Sequence, residues 1–334
     1  MKESALRIVF MGTPEFAVPT LRALIASPSD FEVVACYTQP DRQVGRGLEV
    51  KPPPVKRVAL EAKLPVYQPE KLSAPGEFEK LQALKPDVIV VVAFGQILRR
   101  NVLDLPRLGC VNVHSSLLPR WRGAAPIHWA LLSGDAETGV TTMKLVEELD
   151  AGDILLQDST PIELKDTAGS LHDRLAEMGA PLLLKTLKLL SSGNLTPTPQ
   201  DPSKVLYAPK LTKEMEWLNP ALPARELERR IRALNPWPGT SLWFDSLGRV
   251  KVKAGTAVEG ATVQGPALSV GVLQWMGPDL CLGTTDGVLK LQTLQWDGKR
   301  ETDALAWANG LAGKGGELPL EVTVPSAGLS TREN

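Results

Sequence analysis

The stretch Pro86-Asp87-Val88-Ile89-Val90-Val91-Val92-Ala93-Phe94-Gly95 decides the fold. Between Val88 and Ala93 the chain is apolar with almost no alternation, as a β-strand covered on both faces must be. Working outward, Leu6 to Met11 is a second apolar strand. Gly12-Thr13-Pro14 turns it into a helix over Glu15 to Ala26, where Phe16, Leu21, Leu24 and Ile25 follow helical spacing. Phe31 to Thr38 reads as a further strand. Strand, helix, strand in this order predicts parallel pairing through right-handed crossovers, hence an α/β architecture with a Rossmann-like, mostly parallel sheet. Further helices are expected at Val55 to Ala62, Glu77 to Leu84 and Ala124 to Ser133. Thr138 to Val146 should return to the sheet, Ile154 to Glu163 is extended, and Ala168 to Leu190 is a long helix that Pro181 kinks or divides. No Gly-x-Gly-x-x-Gly follows the first strand and no Lys-Ser pair follows Gly12, so neither a dinucleotide nor a nucleoside triphosphate is called for. Ligands of open sheets sit beyond the carboxyl ends of the strands, a rim that here collects Gly12, Phe94-Gly95-Gln96 and Asn112-Val113-His114.

The chain has 334 residues, 43% of them hydrophobic and 22% charged, which suits two soluble domains better than one. No run of apolar residues is long enough for a membrane span, and the N-terminus enters a strand without a signal-peptide core, so a cytoplasmic protein is expected. Cys36, Cys110 and Cys281 are far apart and odd in number, as reduced core thiols rather than a disulfide framework would be. The formal net charge of -1 gives no bulk attraction to nucleic acid. Between Arg225 and Lys253, however, seven basic residues stand against three acidic ones. A helix face laced with pairs such as Glu226 with Arg230 and Glu228 with Arg232 explains this stretch equally well.

In the second half, Leu195 to Val205 carries Pro197, Pro199 and Pro202 and reads as a stiff linker. A helix from Pro223 to Leu234 follows. Strands are expected at Thr240 to Phe244, Val250 to Ala254, Leu268 to Gln274, Leu280 to Gly283 and Val288 to Trp296, with a short helix over Ala304 to Asn309. Five such strands predict a small antiparallel β-barrel, OB-like, in which the tryptophans 217, 237, 243, 275 and 296 serve mostly as core or interface anchors. The organisation expected is thus a domain over 1–190, a proline-rich linker over 191–206, a second domain over 207–325, and a frayed tail from Pro325.

Gly109 to His114 reads as a buried strand in which Val111 and Val113 share one face, leaving Asn112 and His114 together on the other. The Asn112 amide can donate to a nascent oxyanion and His114 can change charge near neutral pH. Asp150 heads an Asp-Ala-Gly-Asp turn. These three residues suit proton-coupled acyl chemistry. They equally suit a plainer role, satisfying loop amides and a turn, and spacing alone does not choose.

A resemblance bears on that choice. Asn112-x-His114, running into Ser115-Ser116-Leu117-Leu118-Pro119, with Leu149-Asp150-x-Gly152-Asp153 further on, resembles the signature of enzymes that move a formyl group from 10-formyltetrahydrofolate to an amine. Arg120-Trp121-Arg122-Gly123-Ala124-Ala125-Pro126-Ile127 and Phe10-Met11-Gly12-Thr13-Pro14-Glu15-Phe16-Ala17 make it similar to the methionyl-tRNA formyltransferases in particular. The resemblance implies a formyltransferase fold for the N-terminal sheet, catalysis by Asn112, His114 and Asp150, and 10-formyltetrahydrofolate as formyl-donor cosubstrate. It implies a folate site at Phe94, Gln96, Ser116, Leu117, Leu118 and Pro119, and initiator methionyl-tRNA as partner. In this family an insert at Pro40 to Pro54 meets the acceptor arm, and Arg42 matches its reading arginine. Gln43-Val44 and Leu48-Glu49-Val50 depart from the family's usual Pro-Ala and lysines. Lys210, Arg249, Lys251 and Lys253 are the candidates for contacts to the tRNA backbone. A monomer is expected. No metal is expected, since His114, His128 and His172 are not at ligand spacing. Formyl transfer to a small amine, hydrolysis of the formylfolate, and a non-catalytic RNA-binding module are the competing readings. The insert and the second domain oppose the first two; the presence of Asn112, His114 and Asp150 together opposes the third.

Overall fold

The structure, a computed structural model, describes residues 5–44, 49–259, 268–311, 313 and 316–325. Gly45, Arg46 and Gly47 of the insert, and the tail beyond Pro325, lie outside the described residues.

In chain order the elements of the first half are β1 Leu6–Gly12, α1 Val18–Ile25, β2 Phe31–Tyr37, β3 Arg42–Val44, β4 Glu49–Lys51, α2 Pro54–Glu61, β5 Val66–Tyr67, α3 Glu77–Ala83, β6 Val88–Val92, α4 Arg100–Leu103, β7 Cys110–His114, β8 Arg122–Gly123, α5 Pro126–Ser133, β9 Glu137–Lys144, β10 Ile154–Pro161, α6 Ala168–Ser191 and β11 Tyr207–Ala208. They are followed by α7 Ala224–Leu234, β12 Thr240–Phe244, β13 Gly248–Glu259, β14 Val272–Met276, β15 Asp279–Gly283, β16 Gly287–Trp296, β17 Glu301–Asp303, α8 Ala304–Asn309 and β18 Leu320–Glu321. The chain forms two compact units. One comprises residues 1–126, 137–161 and 170–209, the other 127–136, 162–169 and 210–334.

The first unit is built on a seven-stranded sheet of order β10-β9-β7-β6-β1-β2-β5. β7, β6, β1, β2 and β5 run parallel, while β9 pairs antiparallel with both β7 and β10. The apolar run that predicted a doubly covered strand is β6, buried at all five positions. Each such Val or Ile contributes roughly 1.5–3 kcal/mol by leaving water. One face of the sheet packs Val9, Met11, Ala35, Tyr37, Ile89, Val91 and Cys110 against Leu81 of α3 and Val102 of α4. Asn112 and His114 lie on that same face, two and four residues beyond Cys110.

On the other face Gly179 of α6 packs closely against the sheet, since a Cβ there would lie 2.9 Å from Val113 Cγ1. α6 is a single helix of 24 residues that runs through Pro181 rather than ending there. The insert is not wholly irregular either: Arg42 pairs with Lys51 and Val44 with Glu49 in a two-stranded ribbon. Its base is pinned by Asp41, which accepts from Lys56 Nζ at 2.7 Å and from Gln68 Nε2 at 2.8 Å. Those two hydrogen bonds hold the Asp41 carboxyl below the usual range. The proline-rich stretch is docked: Thr198 and Ile154 exchange both backbone hydrogen bonds, at 2.8 Å each.

The second unit holds an antiparallel sheet of order β12-β13-β16-β15-β14-β18, with β17 added to β16. Leu227 and Ile231 of α7 share its core with Leu242, Phe244, Val250, Val252 and Leu289. α7 carries the expected ion pairs, Glu226–Arg230 at 3.1 Å and Glu228–Arg232 at 4.0 Å, the second half-buried with Glu228 also accepting from the Ala257 amide of β13. The fully buried indole is Trp307, stacked on Trp296 at 5.1 Å. Trp237, expected among the anchors, is exposed.

Candidate active site

At the carboxyl edge of the first sheet three strand ends are tied together. Thr13, just past β1, donates its hydroxyl to the Phe94 carbonyl at 3.1 Å, and Gln39, just past β2, donates its amide to the same oxygen at 3.2 Å. The turn leaving β6 has Ala93 and Gly95 in the left-handed region, at φ 48° and 83°. Gly12 is required here because a Cβ would lie 2.8 Å from the Phe10 ring and 2.9 Å from the Val92 carbonyl. The close approach thus comes from the protein itself.

β7 delivers Asn112 and His114 beside this edge, both buried, with Asn112 opposite Met143 and His114 opposite Thr141 on β9. No described residue hydrogen-bonds the Asn112 side-chain amide. His114 Nε2 lies 2.9 Å from the Trp121 carbonyl. A carbonyl only accepts, so Nε2 carries the proton and Nδ1 is left with its lone pair in the neutral ring. Nδ1 faces Asp150 Oδ2 at 3.9 Å. That oxygen also accepts from the Gly123 amide at 2.8 Å. The loop from Trp121 to Gly123 therefore grips both members of the pair, its carbonyl on the imidazole and its amide on the carboxylate. Its backbone is bent for the purpose: Trp121 sits at φ 65° and Asp150 itself at φ 48°, conformations that cost energy in a side-chain-bearing residue.

The segment 115–119 is rigid. Ser116 donates to the Arg120 carbonyl at 2.6 Å. Thr141 Oγ1 donates to the Ser116 carbonyl at 2.6 Å and accepts from the Leu118 amide at 3.1 Å and from Gln157 Nε2 at 2.9 Å. Leu118 is buried, whereas Leu117 and Pro119 are half-buried. Phe94 packs its ring into the sheet core, leaving backbone groups at the rim. Both ends of the Gln96 amide are engaged with the preceding turn, Oε1 with the Leu72 amide at 2.7 Å and Nε2 with the Pro69 carbonyl at 2.9 Å. Beside it Ile97 presents a large apolar side chain to solvent, next to a cavity lined by Leu72 and Val102.

Arg42 is exposed on the ribbon, touching Gln39 Oε1 at 3.2 Å. In the second unit Lys210 is exposed. Arg249 is clamped by Asp297 at 2.8 and 3.0 Å and by Glu216 at 3.4 Å, and Lys251 shares Asp297 at 3.7 Å. Sequence reasoning missed Thr141, Trp121, Gly123 and Gln200, because each makes a bond in which at least one partner is a backbone group, which residue type does not reveal. The local signal was the pair of threonines 141 and 142, consecutive polar residues in a strand that is buried from Thr138 to Met143.

Residues 6–187 match the family described as Formyl transferase, and residues 210–312 match Formyl transferase, C-terminal domain. The methionyl-tRNA formyltransferase of Halorhodospira halophila is 52% identical over 307 residues, covering 92% of this chain and 96% of that protein. Among solved structures, the N-formyltransferase from Helicobacter canadensis in complex with folinic acid and dTDP-3-aminofucose superposes with a TM-score of 0.62 at 17% identity, over 86% of this chain and 99% of that one. HypX from Aquifex aeolicus in complex with tetrahydrofolic acid gives a TM-score of 0.56 at 18% identity, over 92% of this chain and 47% of that one. These two likenesses concern the fold alone.

Proposed function

This chain belongs to the methionyl-tRNA formyltransferase family, and from that premise we propose how its residues carry out the family's reaction. The enzyme transfers the formyl group of 10-formyltetrahydrofolate to the free amino group of initiator methionyl-tRNA. The single observation that carries the assignment of the site is the convergence of Asn112, His114 and Asp150, the last brought back 36 positions to face the imidazole at 3.9 Å.

A carbon–nitrogen bond forms between the methionyl amine and the formyl carbon, and the bond from that carbon to the folate nitrogen breaks. The uncommitted Asn112 amide donates to the formyl oxygen as negative charge builds there; one such donor is typically worth about 3 kcal/mol of barrier. With Nε2–H spent on Trp121, His114 Nδ1 takes the proton released by the attacking amine and returns it to the departing folate nitrogen. The imidazolium formed between these steps lies against the Asp150 carboxylate, the sign of charge that favours it.

The rim suits the folate in its own chemistry. The rigid 116–119 segment, with Leu117 and Pro119 half-buried, offers apolar surface for flat rings, and the turn after β6, at Phe94, offers backbone groups for their polar edges. Gln96 acts by holding this turn against residues 69–72. For the tRNA, Arg42 and Lys210 are the exposed contacts, while a phosphate reaching Arg249 or Lys251 competes with Asp297. The division into a catalytic domain over 1–190, a linker over 191–206 and an OB-like tRNA-binding barrel over 207–325 belongs to the same proposal. A barrel is supported by the bridge between Trp243 of β12 and Thr323, close after β18, which joins the two ends of the sheet order. None of the helices among the described residues is long and apolar enough to cross a membrane. We take the enzyme to be a cytoplasmic monomer.

The test is transfer of labelled formyl from 10-formyltetrahydrofolate to initiator methionyl-tRNA, elongator methionyl-tRNA and glycinamide ribonucleotide in parallel. Preference for the initiator is expected. Transfer to glycinamide ribonucleotide alone would overturn the substrate assignment.

A further inference from the structure

We infer that Gln200, in the proline-rich stretch after the long helix, is a positioning residue that sets the geometry of the His114–Asp150 pair. The inference rests on the active-site reading above. Gln200 Nε2 donates to the carbonyls of Asp150 and Gly152, both at 2.8 Å. Its Oε1 accepts from Arg122 Nε at 3.0 Å. One side chain therefore joins the two segments that meet at His114: the turn carrying the carboxylate, and the 121–123 loop whose Trp121 carbonyl and Gly123 amide hold the imidazole and the carboxylate respectively.

Each of those segments needs holding. Asp150 is kept at φ 48°, a conformation that relaxes unless its surroundings over-determine it. Arg122 is buried and has Glu148 as its ion-pair partner at 3.5 Å. Without the Gln200 carbonyl its Nε would be left unsatisfied within the protein. Gln200 is itself held in place, because Thr198 pairs with Ile154 and the Arg122 amide donates to the Leu206 carbonyl at 2.9 Å. Gln200 thus braces the pair from a segment with no chemistry of its own, 50 residues from Asp150 in sequence.

Formyl transfer to initiator methionyl-tRNA is measured for wild type, Q200A, Q200E, D150N and the double variant Q200A/D150N, alongside thermal melting. Q200E keeps an acceptor for Arg122 and loses the donor to the Asp150 turn, so it serves where Q200A folds poorly. Both single variants at Gln200 should lower kcat about 10- to 100-fold, the scale of an ångström-sized misplacement, with KM for both substrates held. In the D150N background Q200A should cost no more than about twofold further, because the His114–Asp150 pair that it aligns has already lost its charged member. Wild-type kcat in Q200A and Q200E with a collapsed D150N overturns this inference alone. So does a Q200A loss that multiplies with that of D150N, or one that appears as a rise in KM. Wild-type kcat in D150N overturns the reading of the site and the inference with it.

Discussion

Thr141→Val tests how the 116–119 segment, proposed above to line the folate site, is held. Thr141 is fully buried on β9 and its hydroxyl makes three hydrogen bonds, giving its proton to the Ser116 carbonyl and accepting from the Leu118 amide and Gln157. Valine has nearly the same shape, so no cavity opens and the change isolates the polar term. Ser116 and Leu118 are buried, and each would be left with an unpaired backbone group at about 1–3 kcal/mol. Gln157 is exposed and finds water, adding little. The sum is about 4 kcal/mol, which at an ordinary urea slope of roughly 2–3 kcal/mol per molar lowers the unfolding midpoint by roughly 1.5 M. T141S keeps the hydroxyl and loses one buried methyl, so it should cost only about 1 kcal/mol. Because the 116–119 segment loosens, T141V should raise KM for 10-formyltetrahydrofolate more than it lowers kcat. Urea titration followed by tryptophan fluorescence, with initial rates below the new midpoint, measures both. A T141V midpoint equal to that of T141S would refute the hydrogen-bond argument, and an unchanged KM would separate Thr141 from the folate loop.

Replacing Asn112, His114 or Asp150 by Ala should lower turnover by orders of magnitude without a matching loss of stability, and the effects should not multiply in combination; near-wild-type turnover in folded H114A would remove the proton route. R42A should leave folate binding intact and narrow the initiator-to-elongator efficiency ratio by about 1–3 kcal/mol if the lost contact is bidentate, read from kcat/KM on the two tRNAs. K210A should reduce the salt dependence of tRNA binding by about one unit, whereas R249A, whose guanidinium is matched by Asp297 and Glu216, should reduce it less and cost stability instead. Burial pushes the Cys36 and Cys110 thiols up to about 12 and Cys281 up to about 11, so none should react with maleimide near neutral pH until the chain unfolds. The folded chain keeps these protons where the unfolded one loses them. Their stabilising contribution is therefore complete below about pH 8.5 and falls away as pH rises toward the folded values, a trend that urea midpoints across alkaline pH would check.

By itself the sequence determined most of the elements and which reactive side chains share a strand. Unbroken apolarity in Val88 to Val92 specified a strand covered on both faces, alternation in Cys110 to His114 placed Asn112 beside His114, and the spacing of Leu21, Leu24 and Ile25 announced α1. These are signals of period 2.0 and 3.6, written in neighbouring residues and legible without a fold. Only the tertiary structure decided what those side chains meet. Asp150 could have been an ordinary turn residue; it faces His114 because β10 returns antiparallel along β9, whose other neighbour is β7. Arg249 read as a free cation until Asp297, 48 residues on, closed over it. The prolines at 197, 199 and 202 spoke of a spacer, and nothing near Gln200 announced that its amide would reach the Asp150 turn. Local spacing selects a conformation residue by residue, but a partner across the chain is chosen by which surfaces bury together, and that choice is made by the folded whole.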